Sequence, residues 1–394
     1  MSSLLVGGSI AANYLNGGIA WERLSWVLGL RALGFDVLLL DQLDRTRCVY
    51  PTGVERNSED ALNRQFFEAI VRQFGLGSSA ALVDDAGRTL YGPAESELLE
   101  LAEAADALIN VAGNVRLEKV KQRSRLNVYV DVDPGFTQLW LDSGKRAPRI
   151  ADHDLYFTIG ENIGTPRCSL PSGGVTWLHT RQPVLIDEWR PAFDEGDPWR
   201  FTSVLRWRGA GPHGRLEALG LEFGEKADEF AKLIELPQNA TPVFELALDI
   251  DSTDTEARLQ LERHGWRLVD PRTVAHDPDS FRRYVQTSGA EFCVAKPVYV
   301  DTNSGWFSDR TTRYLASGKP ALVQDTGFGD VIETGEGLIA FRTLGDALDG
   351  VGRIQRDYAG HCRAARHVAE QYFDSNLVLA RFVDDVMAAG RRRR

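Results

Sequence analysis

Residues 304–341, SGWFSDRTTRYLASGKPALVQDTGFGDVIETGEGLIAF, gather the side chains and spacings best suited to chemistry in this chain. A glycine-bearing loop (Ser304, Gly305, Trp306, Phe307) feeds a helix whose first backbone N–H groups, near Ser308, Asp309, Arg310 and Thr311, have no carbonyl one turn back to bond to. Such N–H groups receive anionic oxygens, and the helix dipole strengthens the attraction. Ser308 is a good N-cap, Arg310 can add charge-assisted bonds, and Gly318 before Lys319 and Pro320 ends the helix. The pattern predicts a diphosphate cradle over residues 304–310, although a capped amphipathic helix with Tyr314 and Leu315 in the core satisfies the same residues.

Other candidates stand at strand ends, the edge where open α/β sheets bind ligands. Arg206 and Arg208 follow the apolar run FTSVL, and Lys296 follows EFCVA; each either meets an anion or is an ordinary solvated charge. VDVDPGFTQLW places Asp131 and Asp133 after one strand, and FTIGENIG places Glu161 and Asn162 after another. Asp133, then Glu161, is the candidate general base toward a hydroxyl; a plain Asp-Pro-Gly turn is the alternative. Gly17 and Gly18 let backbone approach a ligand or simply permit a tight turn. The loop 266–270 is a candidate wall for a nucleobase, with Trp266 itself expected in the core.

The elements that must hold these residues follow from periodicity. A strand at 3–8 enters a glycine loop; Trp21, Leu24, Trp26, Val27, Leu30 and Leu33 recur at helical spacing up to Gly34, and FDVLLLD follows as a strand apolar on both faces. That is a βαβ unit of a covered parallel sheet. The alternation continues with helices at 59–74 and 94–105 and strands at 80–83, 107–111, 127–132 and 154–159. Between 166 and 212 the texture turns to Pro, Gly and Trp, an interdomain connection leading into the strand FTSVLRW. Helices at 226–234, 255–264, 278–288 and 309–316 then alternate with strands at 243–248, 291–295 and 321–324 and a short segment at 266–269. Residues 344–389 read as helical, broken near Phe373 and Asp374. The fold class is α/β: two Rossmann-like doubly wound domains facing a cleft, at 1–190 and 191–370, with 371–394 a final helix and an arginine tail.

Composition narrows the partners. A chain of 394 residues exceeds the usual size of one core. Its net charge of −11 argues against a nucleic-acid partner, and no apolar run is long enough to span a bilayer. The opening MSSLLVGGS lacks the basic region of a signal peptide, so a cytoplasmic location is expected. Cys48, Cys168, Cys293 and Cys362 are scattered, without a CxxC pair or clustered histidines, and predict neither disulfides nor a metal site. The DVD at Asp131 to Asp133 and the DID at Asp249 to Asp251 match a metal-holding Asp-x-Asp in letters only. The run Arg391 to Arg394 reads as a solvated tail, or alternatively as a phosphate or membrane-surface contact.

The order glycine loop, helix, Ala-Ser-Gly-Lys-Pro, apolar strand, Asp-Thr-Gly-Phe, Glu-Gly-Leu-Ile-Ala-Phe resembles the donor-binding region of GT-B glycosyltransferases with a group 1/4-like C-terminal domain. ALDGVGRIQRDYAGHCRAARHVAEQYFDSNLVLARFVDDV resembles their C-terminal helices, the last of which often crosses back onto the first domain; LVGGSIAANYLNGGIAWERLSWVLGLRALGFDVLLLD resembles their opening. The resemblance implies metal-independent transfer of a sugar from a UDP-, TDP- or GDP-sugar to an acceptor hydroxyl. No permanently bound cofactor is implied, the acceptor is expected to be a natural product or glycan, and a homodimer is allowed. It adds donor contacts at Arg208 and Lys296 and a base at Asp133 or Glu161. One departure stands out: where many retaining members carry two glutamates, this chain has Gly305 and Arg313, leaving Asp301, Asp309 and Asp325 as substitutes. A nucleotide-sugar epimerase or hydrolase and a noncatalytic nucleotide-sugar-binding protein are the alternatives. A dinucleotide dehydrogenase is disfavoured because GGSIAANYLNGG lacks the GxGxxG spacing.

Overall fold

The computed structural model describes residues 2–43, 56–144, 147–209 and 214–392. The first sheet contains β1 (Ser3–Gly8), β2 (Asp36–Leu43), β3 (Ala80–Asp84), β4 (Thr89–Tyr91), β5 (Ala107–Val111), β6 (Asn127–Asp131), β7 (Leu155–Thr158) and β8 (Trp177–His179). Its order is β4-β3-β2-β1-β5-β6-β7-β8, parallel except where β4 meets β3. The chain then forms β9 (Arg200–Arg206), a hairpin of β10 (Leu216–Ala218) and β11 (Leu221–Phe223), β12 (Val243–Asp249), β13 (Arg267–Val269), β14 (Ala290–Cys293), β15 (Ala321–Gln324) and β16 (Leu338–Phe341). The second sheet runs β13-β12-β9-β14-β15-β16, all parallel. Runs such as ALINV in β5 are buried throughout, as strands covered by helices on both faces must be.

Both sheets reverse direction beside their first strand, between β1 and β5 and between β9 and β14. Ligand crevices open at the carboxyl ends of strands at such a point. In the second sheet those ends deliver Arg206, at the end of β9, and Lys296, just beyond β14.

Helix Gly17–Ala32 joins the domains. Asn16 caps it by accepting from Ile19 N at 3.1 Å, Gly17 N donates to Ala275 O at 2.8 Å, and Trp21 Nε1 donates to Pro278 O at 2.8 Å. The Trp21 ring lies 5.2 Å from Trp189, whose ring is 6.1 Å from Phe281 of helix Pro278–Gln286. Three helices end the chain, Leu344–Arg356, Tyr358–Tyr372 and Ser375–Arg392, with the expected break at Phe373 and Asp374. There the chain crosses over: Asp374 bridges Val184, and Phe382 packs 5.1 Å from Trp26 and 4.4 Å from Phe157. The last helix therefore completes the core of the first domain.

The sequence pattern missed the short elements. Strands β4, β8, β10, β11 and β16 have three or four residues, and helix Pro297–Asp301 has five, too few to show a period. Within the stretch expected to be pure connection, β8 extends the first sheet beside β7. Cys168, Cys293 and Cys362 are free thiols, and burial raises the pKa of each, Cys293 to about 11, so none is set up as a thiolate nucleophile. Cys48, Arg393 and Arg394 lie outside the described residues, while Arg391 and Arg392 are exposed in the last helical turn.

Candidate functional site

Two connected chambers occupy the cleft between the sheets. One, of about 350 Å³, is lined by residues of both domains: Glu22 and Asp133 from the first, and Arg206, Lys226, Lys296 and Arg310 from the second. The other, of about 370 Å³, lies between Asn13, Tyr14 and Gly18 on one side and Asp249, Pro271 and Arg272 on the other. Ile19, Leu205, Arg206, Asp309 and Arg310 line both.

Three cations converge on the first chamber. Arg310 stands at the start of helix Asp309–Ala316, which its burial pattern and the Ser308 cap hold in place: Ser308 Oγ accepts from Arg310 N at 3.2 Å. Lys296 Nζ sits 4.4 Å from the Phe136 ring centroid and 5.4 Å from that of Tyr299. Lys226, at the first position of helix Lys226–Ala231, makes no hydrogen bond or ion pair among the described residues. Burial brings its pKa down to about 7, assisted by the charges of Arg310 and Lys296. Beneath them, buried Glu291 is pushed up to about 7 by desolvation, which Arg310 and Lys226 oppose. Cations and carboxylates alternate around this chamber, and Lys226 is the cation there without an ion pair among the described residues, so an anion entering the chamber meets it directly.

Opposite stands Asp133. Lys296 Nζ approaches its Oδ1 at 3.2 Å, and the Tyr299 hydroxyl donates to the same oxygen. The turn carrying Asp133 is organised by buried Asp131, which accepts from Thr137 Oγ1 at 2.6 Å, Thr158 Oγ1 at 2.8 Å, Gln138 Nε2 at 2.9 Å and Asp133 N at 3.0 Å. Desolvation raises the Asp131 pKa against these four donors. Its role is architectural, and neither Asp131 nor Asp251, which caps its own exposed turn, resembles a metal ligand at a strand end.

The glycine loop departs from the expected cradle. Ser304 O and Gly305 O accept from Asn162 N and Glu161 N at 3.1 and 3.3 Å, so the loop interlocks with the first domain. Phe307 stacks 4.8 Å from Phe373 in the core, and Thr311 is fully buried. Only Trp306, Asp309 and Arg310 of the eight residues from Ser304 to Thr311 line the chamber. Glu161 also lies elsewhere: its carboxylate pairs with Arg181, in a separate hollow of about 150 Å³ beside His179 and Tyr372. A Cβ on Gly17 would come within 2.0 Å of Asp277 O, so this glycine permits the domains to touch, whereas Gly18 lines the second chamber.

Arg208 reaches the rim of the first chamber but is held by Asp254 at 2.8 Å and Glu225 at 2.9 Å. Trp266 is buried, donating to Ile234 O at 2.9 Å, and Pro271 and Arg272 form the chamber wall in its place. Among the substitute carboxylates Asp309 faces the cavity, Asp301 is exposed, and Asp325 accepts from Gly327 N and from Arg342. Lys226, Glu22 and Tyr299 escaped the sequence reading. Lys226 had a signal: a lysine beginning a helix directly after a Gly-Glu pair, though separated from β9 by the hairpin.

No family model matches the chain, and no curated protein does. Solved structures do. An alpha-glucosyltransferase in complex with UDP and a DNA 13-mer containing an HMU base superposes with a TM-score of 0.59 at 11% identity, covering 98% of this chain and 100% of that one. AviGT4, a glycosyltransferase involved in avilamycin A biosynthesis, matches with a TM-score of 0.55 at 11% identity over 99% and 98%. Anabaena HepE in complex with UDP and glucose matches with a TM-score of 0.57 at 12% identity over 98% and 100%. A DNA complex among these likenesses means that the fold does not exclude a nucleic-acid acceptor. No helix among the described residues is long and apolar enough to cross a membrane. With two parallel α/β sheets and matches that cover nearly the whole chain, the chain has the two-domain GT-B fold.

Proposed function

We propose that the protein is a glycosyltransferase that moves a sugar from a nucleoside-diphosphate sugar to an acceptor hydroxyl. The observation that carries this reading is the convergence of Lys226, Lys296 and Arg310 on one interdomain chamber, with Asp133 across from them. A diphosphate leaving group gathers charge as the glycosidic bond breaks, and fixed cations in a partly dry cavity stabilise it without a metal. The second chamber, walled by Pro271 and Arg272, suits the nucleoside, so that the phosphates lie at the junction beside Arg206 and Arg310.

Asp133 is the general base in this reading. The diphosphate draws Lys296 away, and the carboxylate, still bonded by the Tyr299 hydroxyl, takes the proton of the acceptor hydroxyl. Gly18 lines the nucleoside side, and Arg208 contributes at the rim. UDP is the first nucleotide to try, since several of the similar structures hold it. The net charge of −11 favours a small neutral acceptor, a natural product or glycan, over a polyanion. Incubation with UDP-, GDP- and TDP-sugars, with and without an acceptor panel, tests the activity: acceptor-dependent release of nucleoside diphosphate supports transfer. Release without acceptor indicates hydrolysis or epimerisation, and binding without turnover indicates a noncatalytic protein.

A further inference from the structure

Neither position at which the family resemblance places a glutamate can present a carboxylate to the chamber. Gly305 has φ +73°, and a Cβ there would lie 2.8 Å from Asn162 N and 2.9 Å from Glu161 N. Arg313 is fully buried, its guanidinium held by Asp309 Oδ2 at 3.3 Å and Ser25 Oγ at 3.2 Å.

Two other carboxylates line that wall. Glu22, on helix Gly17–Ala32, is only 5% exposed, yet it borders the chamber with Asp309. Its Oε1 accepts from Arg23 Nη1, while Oε2 has no hydrogen-bond partner among the described residues. Burial raises the Glu22 pKa, and the Asp309 charge adds to the rise, so the two carboxylates feel each other across the cavity. A carboxylate oxygen that borders the chamber without a protein donor is open to a hydroxyl that a ligand brings. Trp306, stacked 4.7 Å from Tyr299, borders the same space and offers an apolar face to the C–H side of a pyranose.

We propose that Glu22 and Asp309 together hold the hydroxyls of the donor sugar, so that two domains supply what one glutamate-bearing loop supplies in the resembled family. The inference rests on the nucleotide-sugar reading above. It makes sugar recognition depend on both domains, because Glu22 belongs to the first and Asp309 to the second.

The test uses the whole 394-residue chain and calorimetric titration. The tightest binder among UDP, GDP and TDP is compared with its glucose conjugate on the wild type, Glu22→Gln and Asp309→Asn. For Glu22→Gln the bare diphosphate binds within about twofold of wild type, which also reports intact folding, while the conjugate binds about tenfold more weakly. Conjugates of monodeoxyglucoses sharpen the test: at least one hydroxyl whose loss weakens wild-type binding makes no difference to Glu22→Gln. Equal weakening of diphosphate and conjugate, unchanged binding of both, or identical deoxy-sugar losses in wild type and variant overturns the assignment. If none of the three diphosphates binds the wild type, the nucleotide reading itself falls, an outcome distinct from loss of the sugar contact alone.

Discussion

Lys296 Nζ lies 3.2 Å from Asp133 Oδ1, linking the loop after β14 to the turn after β6 across the domain cleft. The side chains are 25% and 30% exposed, so solvent screens the pair and it adds little to stability. Its significance is positional: a cation suited to phosphate and a carboxylate suited to a hydroxyl proton share one chamber, with the Tyr299 hydroxyl bonded to the same carboxylate oxygen.

Replacing Asp133 with Asn removes the base and keeps the shape. Steady-state kinetics should show kcat reduced by about 10²–10⁴, with the dissociation constant of UDP changed by less than about threefold. A kcat close to wild type would rule out this carboxylate as the base.

The phosphate grip is assigned to side chains, not to the glycine-loop amides. Lys226→Ala and Arg310→Ala should each weaken UDP binding by about 1.5–3 kcal/mol, and raised salt should weaken the wild type. Ser304→Ala should leave affinity near wild type, because Ser304 is buried beneath the interlocked loop. Turnover should persist in EDTA, since these cations carry the leaving-group charge; strong loss would argue for a metal.

Affinity for the diphosphate should fall as pH rises through about 7. Lys226, with its pKa near 7, loses its charge in that range, and Glu291, also near 7, gains one beneath the same cations. A bound anion favours protonated Lys226, so binding takes up protons above that pH. Titration in buffers of different ionisation enthalpy measures the uptake, and a flat pH profile between about 5 and 9, roughly two units either side of the lysine value, would contradict the assignment.

The crossing helix should matter to the first domain. Phe382→Ala empties a site between Trp26 and Phe157 and should cost about 3–5 kcal/mol, seen as a lower urea midpoint. A change below about 1 kcal/mol would mean that this helix does not share the core.

Periodicity and glycine punctuation carried the architecture. The apolar runs of β2 and β5, the helix ending at Gly34 and the break at Phe373 were all legible because each depends on local spacing. The site was legible only in parts. Lys296, Asp133 and Arg310 were found as single residues at element ends, but nothing local announces that Lys296 and Asp133, 163 positions apart, meet. The glycine loop is less open than its sequence suggests for a related reason: Gly305 N donates to Thr326 O, distant in sequence, and Trp306 N to Ser304 Oγ, which takes up amides that would otherwise face an anion. Lys226 stayed hidden because its lowered pKa comes from burial in the folded chain, assisted by the charges of Arg310 and Lys296, not from its neighbours in sequence.

The most direct measurement is a crystal structure of the protein with UDP. The two phosphates are expected between Arg310 and Lys226, with the uridine beside Pro271 and Arg272 and Lys296 released from Asp133. Phosphates found away from Lys226 and Arg310, or a nucleotide outside the two chambers, would contradict it.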